Sequence, residues 1–375
     1  MSKLPHITTS IFSTMSQMAK EYNAINLSQG FPNFTVDEQL KELVSHWAKK
    51  EIHQYLPMAG FPPLLEKLAH LTQQSYNRTV HPEKEIVITA GATEGIFASI
   101  QSLVYPNEEV VILDPSYDCY ETPIMLCNAK PVRVNMNLDF TPNWERIGNA
   151  INSNTKMIII NTPHNPSGKV WNESDFIQLE QLMDLYPNLL VLSDEVYEYI
   201  TFEKKHLSIN QREKIRNRSI CISSFGKSFH ITGWKIGYII APEALMNEIK
   251  KVHQFLVFSV NSIAQYAIND YIDKVQISEL GNFYKLKRDY FRNLLKETKF
   301  EILDCEGSYF QIASYSKISE ANDMDFAMHL VKDYGVATIP LSPFYKDKTQ
   351  TQCLRFCFAK EEKTLNEAAE RLMKF

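Results

Sequence analysis

From about Glu85 onward the chain sets short apolar runs against stretches that are apolar only at every third or fourth position. The runs are "EIVITA", "EVVILDP", "PVRVNM", "KMIIINTP", "LLVLSDE" and "SICISSF", and each ends in polar residues. Between some of them lie patterns such as "GATEGIFASIQSLV" and "DFIQLEQLMDLY", whose apolar positions recur at the spacing of one helix face. Unbroken Val/Ile/Leu runs suit strands covered on both faces. Strands interleaved with helices predict an α/β fold with a mostly parallel, doubly wound sheet. From roughly Asn261 the pattern changes to a long helical region, then "FEILDCEGSYFQIASY", "GVATIP" and "LRFCFA", then an amphipathic closing helix in "EEKTLNEAAERLMKF". That mixture predicts a smaller α+β domain. The expected division is an N-terminal arm and small-domain segment over 1–30, a large domain over 31–260 and a small C-terminal domain over 261–375.

Polar residues gather where the predicted strands end: Gly91-Ala92-Thr93, Asp114, Asn161 to Asn165, Asp194, and Ser223 to Lys227. In open α/β sheets ligands bind beyond the carboxyl ends of the strands, so these five clusters are expected to surround one pocket. Lys227, in "SSFGKSFHITGWKIGY", raises two chemistries. The phosphate-binding loop of nucleotide hydrolases needs a glycine five residues before its Gly-Lys pair, and Cys221 stands there instead. The alternative is a lysine that attacks a carbonyl. Such a lysine must be partly unprotonated, in a neighbourhood that disfavours ammonium, and Lys235 would supply a second positive charge. Taken alone, Lys227 reads more readily as a solvated loop lysine; its surroundings have to decide.

Composition narrows the function classes. Of the 375 residues 44% are hydrophobic and 22% charged, the balance of an ordinary globular protein. A formal net charge of −5 gives no electrostatic reason to expect nucleic acid or an anionic membrane. No apolar run approaches the roughly 20 residues that span a bilayer, and "MSKLPHITTSIFSTMSQMAK" lacks the apolar core of a secretory signal. A cytoplasmic location is the expectation. Six cysteines, several inside apolar runs, carry neither a metal-ligand spacing nor a disulfide framework.

The lysine stretch resembles the motif of the class I aminotransferases, fold-type I enzymes that depend on pyridoxal 5′-phosphate. The likeness runs from "INLSQGFPNF" to "LRFCFAKEEKTL". Within that family "NLSQGFP", "SSFGK", "NTPHNPS" and "RFCFAKEE" resemble most the methionine and kynurenine–oxoglutarate aminotransferases. The resemblance implies that Lys227 forms a Schiff base with the cofactor aldehyde and that Asp194 pairs with its pyridine nitrogen. It likewise implies that Asn165 and Tyr197 bind the phenolic oxygen and that Tyr117 stacks on the ring. Ala92, Thr93, Ser224 and Lys235 match phosphate contacts, Lys235 standing where many relatives carry arginine. Tyr55 matches a tyrosine that reaches the phosphate of the other subunit, which implies a homodimer with shared sites.

Arg355 matches the arginine that grips the substrate α-carboxylate, with Asn165 beside it. Phe12 and Gly30 match pocket-lining positions, and Phe258 one that reaches in from the partner. Phe12 reads equally as the apolar staple of the arm. The implied substrates are an amino-acid donor (methionine, aromatic amino acids, glutamine or kynurenine) and a 2-oxo acid acceptor. A cysteine-conjugate β-lyase is the nearest rival. A cofactor-binding regulatory module is the rival from another class, disfavoured by the short arm before "INLSQG" and by the acidic net charge. His164, in "NTPHNP", is assigned no acid–base role.

Overall fold

The computed structural model describes residues 4–5, 7 and 9–374. Its strands are β1 (Ile25–Asn26), β2 (Ile86–Thr89), β3 (Glu109–Asp114), β4 (Lys130–Asn135), β5 (Thr155–Asn161), β6 (Leu190–Asp194), β7 (Ser219–Ser224), β8 (Gly237–Ile240), β9 (Glu301–Ile302), β10 (Phe310–Ser314), β11 (Val336–Ala337), β12 (Ile339–Pro340) and β13 (Cys353–Cys357). The six expected apolar runs became β2 to β7. They form one sheet with β8, in the order β2-β8-β7-β6-β5-β3-β4. From β4 to β7 every pair is parallel, and only β8 runs against its two neighbours.

Alternate residues of these strands enter two separate apolar clusters. Ile86, Ile88, Val111, Ile158 and Val191 face one; Val87, Val110, Ile112, Ile159 and Leu192 face the other. Both faces of the inner strands are buried, so their runs show no polar alternation; the edge strand β4 covers one face with Val132 and Val134 and carries Arg133 between them. Helices Ala92–Leu103 and Glu243–Leu256 pack together on the second face.

A second, antiparallel sheet has the order β12-β13-β10-β9, and β1 pairs in parallel with β11. The N-terminal segment is thereby fixed to the C-terminal part of the chain. The closing helix Glu362–Leu372 buries Leu365, Ala368, Ala369 and Leu372, which accounts for its amphipathic pattern.

Candidate active site

The carboxyl ends of β5, β6 and β7, the start of helix Ala92–Leu103 and strand β13 converge on a cavity of about 380 Å³. Lys227 sits on the single turn Phe225–Ser228 that follows β7. Its Nζ donates to the Tyr309 hydroxyl at 2.9 Å and lies 3.4 Å from the Gly30 carbonyl oxygen. Burial, the largest influence, pulls the Lys227 amine down to about 8. Arg355 and Lys235 push the same way, against Cys357 and Asp194. The expected help from Lys235 is present, but desolvation outranks it.

Asp194 ends β6 and is buried. It accepts from the Tyr120 hydroxyl at 2.6 Å and from the Val196 N–H at 3.3 Å. Burial nevertheless raises its carboxyl to about 6. Asn161, at the end of β5, ties two strand ends together. Its Oδ1 accepts from the Asn165 N–H at 2.7 Å, and its Nδ2 donates to the Asp194 carbonyl at 2.8 Å.

Arg355 projects from the middle of β13 and is only 1% exposed. Nη1 donates to Asn165 Oδ1 and Nη2 to the Ser28 carbonyl, each at 2.7 Å, while Nε has no partner among the described residues. The guanidinium lies 3.8 Å from the centroid of the Phe310 ring and 5.1 Å from that of Phe12. Burial lowers the proton affinity of this group. A buried N–H donor without an acceptor is costly, and the natural remedy is an anion arriving from the cavity.

Helix Ala92–Leu103 opens on Gly91, whose φ of 78° is open to glycine at no steric cost. A Cβ at Gly91 would lie 3.3 Å from Lys235 Nζ, so the lysine head sits against the helix entrance. Its first amides, from Ala92 and Thr93, line the cavity with Ser224 and Lys235. Free N–H groups at a helix start favour anions.

Tyr117, Tyr197, Phe12 and Gly30 also line the cavity. The Phe12 ring stands 5.9 Å from that of Tyr117 and 5.8 Å from that of Phe344. Two expected residues lie elsewhere. Tyr55 is 82% exposed and makes an edge-to-face pair with Phe258 at 5.4 Å, and neither lines the cavity of its own protomer.

One expectation needs correction. Asp114 does not face the cavity: it is buried against Arg133 and accepts from the Lys346 N–H at 2.9 Å. The segment after β3 reaches the cavity through Tyr117, Asp118 and Tyr120 instead. His164 is a loop residue as expected, but a buried one, bonded to Ser167 Oγ and the Pro115 carbonyl. The sequence reading gave no role to Tyr120 or Tyr309. Tyr120 stands inside the quoted "DPSYDCY", three residues after Tyr117, so that signal was within reach. Tyr309 had none.

Residues 22–372 match the family Aminotransferase class I and II. The chain is 42% identical to a methionine aminotransferase of Escherichia coli (strain K12), over 99% of this chain and 97% of the relative. It is 31% identical to kynurenine–oxoglutarate transaminase 3 of Homo sapiens, over 99% and 89%. Among solved structures, an Escherichia coli protein whose structure and reactivity identified a methionine aminotransferase function superposes with a TM-score of 0.97 at 42% identity, covering 100% and 99% of the two chains. N-Succinyldiaminopimelate aminotransferase from Mycobacterium tuberculosis follows at 0.95 and 30% identity, with the same coverage. Sequence, fold and cavity agree along the whole length: the chain belongs to the class I and II aminotransferases and is an amino-group transferase.

Proposed function

We propose that the chain moves the α-amino group of methionine, and of aromatic amino acids, glutamine or kynurenine, to a 2-oxo acid, using pyridoxal 5′-phosphate bound in the cavity. One observation carries this reading. A half-buried lysine with a lowered pKa, a buried aspartate and a buried arginine whose Nε has no partner among the described residues meet in one cavity.

The residues present fit that cofactor. The first-turn amides of Ala92 and Thr93, the Ser224 hydroxyl and the Lys235 ammonium form a donor set for a phosphate dianion. Gly91 leaves room for the Lys235 head. Asp194 would face the ring nitrogen, Tyr117 the ring, and Tyr197 and Asn165 the phenolic oxygen. When bound, pyridoxal phosphate supplies an aldehyde that bonds to amines and a protonated ring that draws electrons from Cα.

The chain's own residues do the rest. Arg355 holds the substrate carboxylate, and Asn165 fixes the guanidinium through Nη1. That grip orients the Cα–H bond. Lys227, once free, takes the Cα proton, which requires the neutral amine that burial favours. Phe12 and Phe310 offer aromatic faces on which a thioether packs well. Gly30 keeps that wall open, since a Cβ there would meet the Phe310 ring at 2.7 Å.

Tyr55 and Phe258, outside their own cavity, suit a homodimer in which each completes the partner's site. The six free cysteines suit a reducing cytoplasm. A large domain ending near Ile272 fits better than one ending at 260, because helix Ser262–Ile272 packs on Glu38–Trp47 and Pro62–Tyr76.

The test is an absorbance titration of the cofactor-loaded protein with each amino acid in turn, without an oxo acid. Methionine is expected to bleach the visible band and to release its 2-oxo acid. A band that no amino acid alters would remove the substrate reading.

A further inference from the structure

Tyr309 touches Lys227 yet belongs to none of the roles above. Its hydroxyl has one proton to give, and gives it to the Gly30 carbonyl at 2.6 Å. The oxygen therefore turns a lone pair toward Lys227 Nζ, which donates to it at 2.9 Å. Gly30 is presented by its neighbours. The carbonyls of Gln29 and Phe31, on either side, are taken by Lys360 Nζ at 3.4 and 2.7 Å. Lys360 is 2% exposed, and its Nζ lies 4.6 Å from the Phe31 ring centroid. That leaves the middle carbonyl of the three for the lysine side.

We propose that the Tyr309 hydroxyl and the Gly30 carbonyl form a seat that holds the Lys227 amine, and aims its lone pair, whenever that amine is not covalently engaged. This rests on the reading of Lys227 as the lysine that bonds the cofactor and moves the substrate proton. A neutral amine seated on Tyr309 spends one N–H and keeps its lone pair free. An ammonium can give one N–H to each acceptor. Both states are held, so the nitrogen stays in place as its proton comes and goes. Two acceptors favour the ammonium, so the seat moderates the fall in proton affinity that burial causes. The other titratable or charged groups facing Nζ are Asp194, Tyr197, Lys235, Arg355 and Cys357. Tyr309 is thus a positioning residue that acts through Lys227.

Tyr309→Phe removes the seat's oxygen and keeps the ring. The deciding readout is the pH midpoint at which an amine-reactive reagent labels Lys227 in the full chain freed of cofactor, followed by mass spectrometry of the lysine peptide. The midpoint is expected to fall by roughly one pH unit, the equivalent of one charge-assisted hydrogen bond. In the loaded enzyme kcat is expected to fall roughly 10- to 100-fold with KM within about threefold, because orientation rather than binding is lost. Methionine deuterated at Cα should then show a larger isotope effect. A merely structural tyrosine would lower thermal stability and leave the midpoint where it was, and an unmoved midpoint overturns the seat. Should the variant not fold, Lys360→Met loosens Gly30 from behind and is expected to move the midpoint the same way by less; no movement there overturns the seat as well. Failure of the wild-type chain to take an amino group from any amino acid would sink the enzymatic reading instead, and the labelling midpoint would still decide the seat.

Discussion

A carboxyl group buried like that of Asp194 is held against its preference for the neutral form. Its pKa rises from 3.8 to about 6, so the folded chain binds its proton more tightly than the unfolded chain. The sign follows: this group favours folding fully near and below pH 4, and the benefit disappears as pH rises through 6. Cofactor-free Asp194→Asn is therefore expected to match the wild type near pH 4 and to exceed it at pH 7 by up to about 3 kcal/mol. Urea unfolding at the two pH values checks this, and equal stability at both would contradict it. If Asp194 faces the ring nitrogen as proposed, the same variant should lose the ability to bleach the cofactor band with methionine, since an amide would not keep that nitrogen protonated. Arg355→Lys keeps the charge but loses the planar fork and the waiting Nε–H. KM for methionine is expected to rise roughly 10- to 100-fold, and steady-state kinetics would show it. Arg355 stood out as a lone charge in an apolar run, and Lys227 and Asp194 as members of polar clusters at strand ends, all three within stretches that resemble a known motif. Tyr309 was not: tyrosine is at home in a core, and only the Lys227 distance reveals its use.

At the scale of elements, legibility followed length. The expected runs became strands of four to seven residues. Two-residue strands such as β1, β11 and β12 are too short to show any period, and β8 lies hidden in the tail of the lysine motif. That hidden strand holds a tight contact. A Cβ at Gly237, the first residue of β8, would lie 2.6 Å from the Ser223 carbonyl oxygen and 3.1 Å from the Ala92 nitrogen. Both neighbours are backbone and cannot step aside as a side chain would. Gly237→Ala is expected to cost about 1–3 kcal/mol in stability. It is also expected to weaken cofactor binding, because in the proposed cradle the Ala92 amide would meet the phosphate. Thermal unfolding and a cofactor titration on the same sample separate the two effects. Asp114 shows the opposite error: a strand-end carboxylate looked functional and serves an ion pair with Arg133.

At the scale of the molecule, the exposed Tyr55–Phe258 pair gives the proposed dimer a sharp test. In such a dimer Tyr55→Ala and Lys227→Ala homodimers would each have two defective sites. A mixed dimer would have one site with both residues intact and one lacking both. Mixing the two variants under exchange conditions is expected to restore activity toward about a quarter of the wild-type value, if subunits pair at random. No recovery would mean that Tyr55 serves its own protomer or none.

The pairing of β1 with β11 has a further consequence during synthesis. Val336, the partner of Ile25, is added about 310 residues after it, roughly 15 to 60 seconds at ordinary rates of translation. Ser28, whose carbonyl anchors Arg355, waits equally long. Throughout that interval the nascent chain carries β1 without the strand it pairs with. Its exposure to chaperones and proteases is therefore greatest before the last strands appear, and a chain truncated ahead of β11 would never bring it to an end.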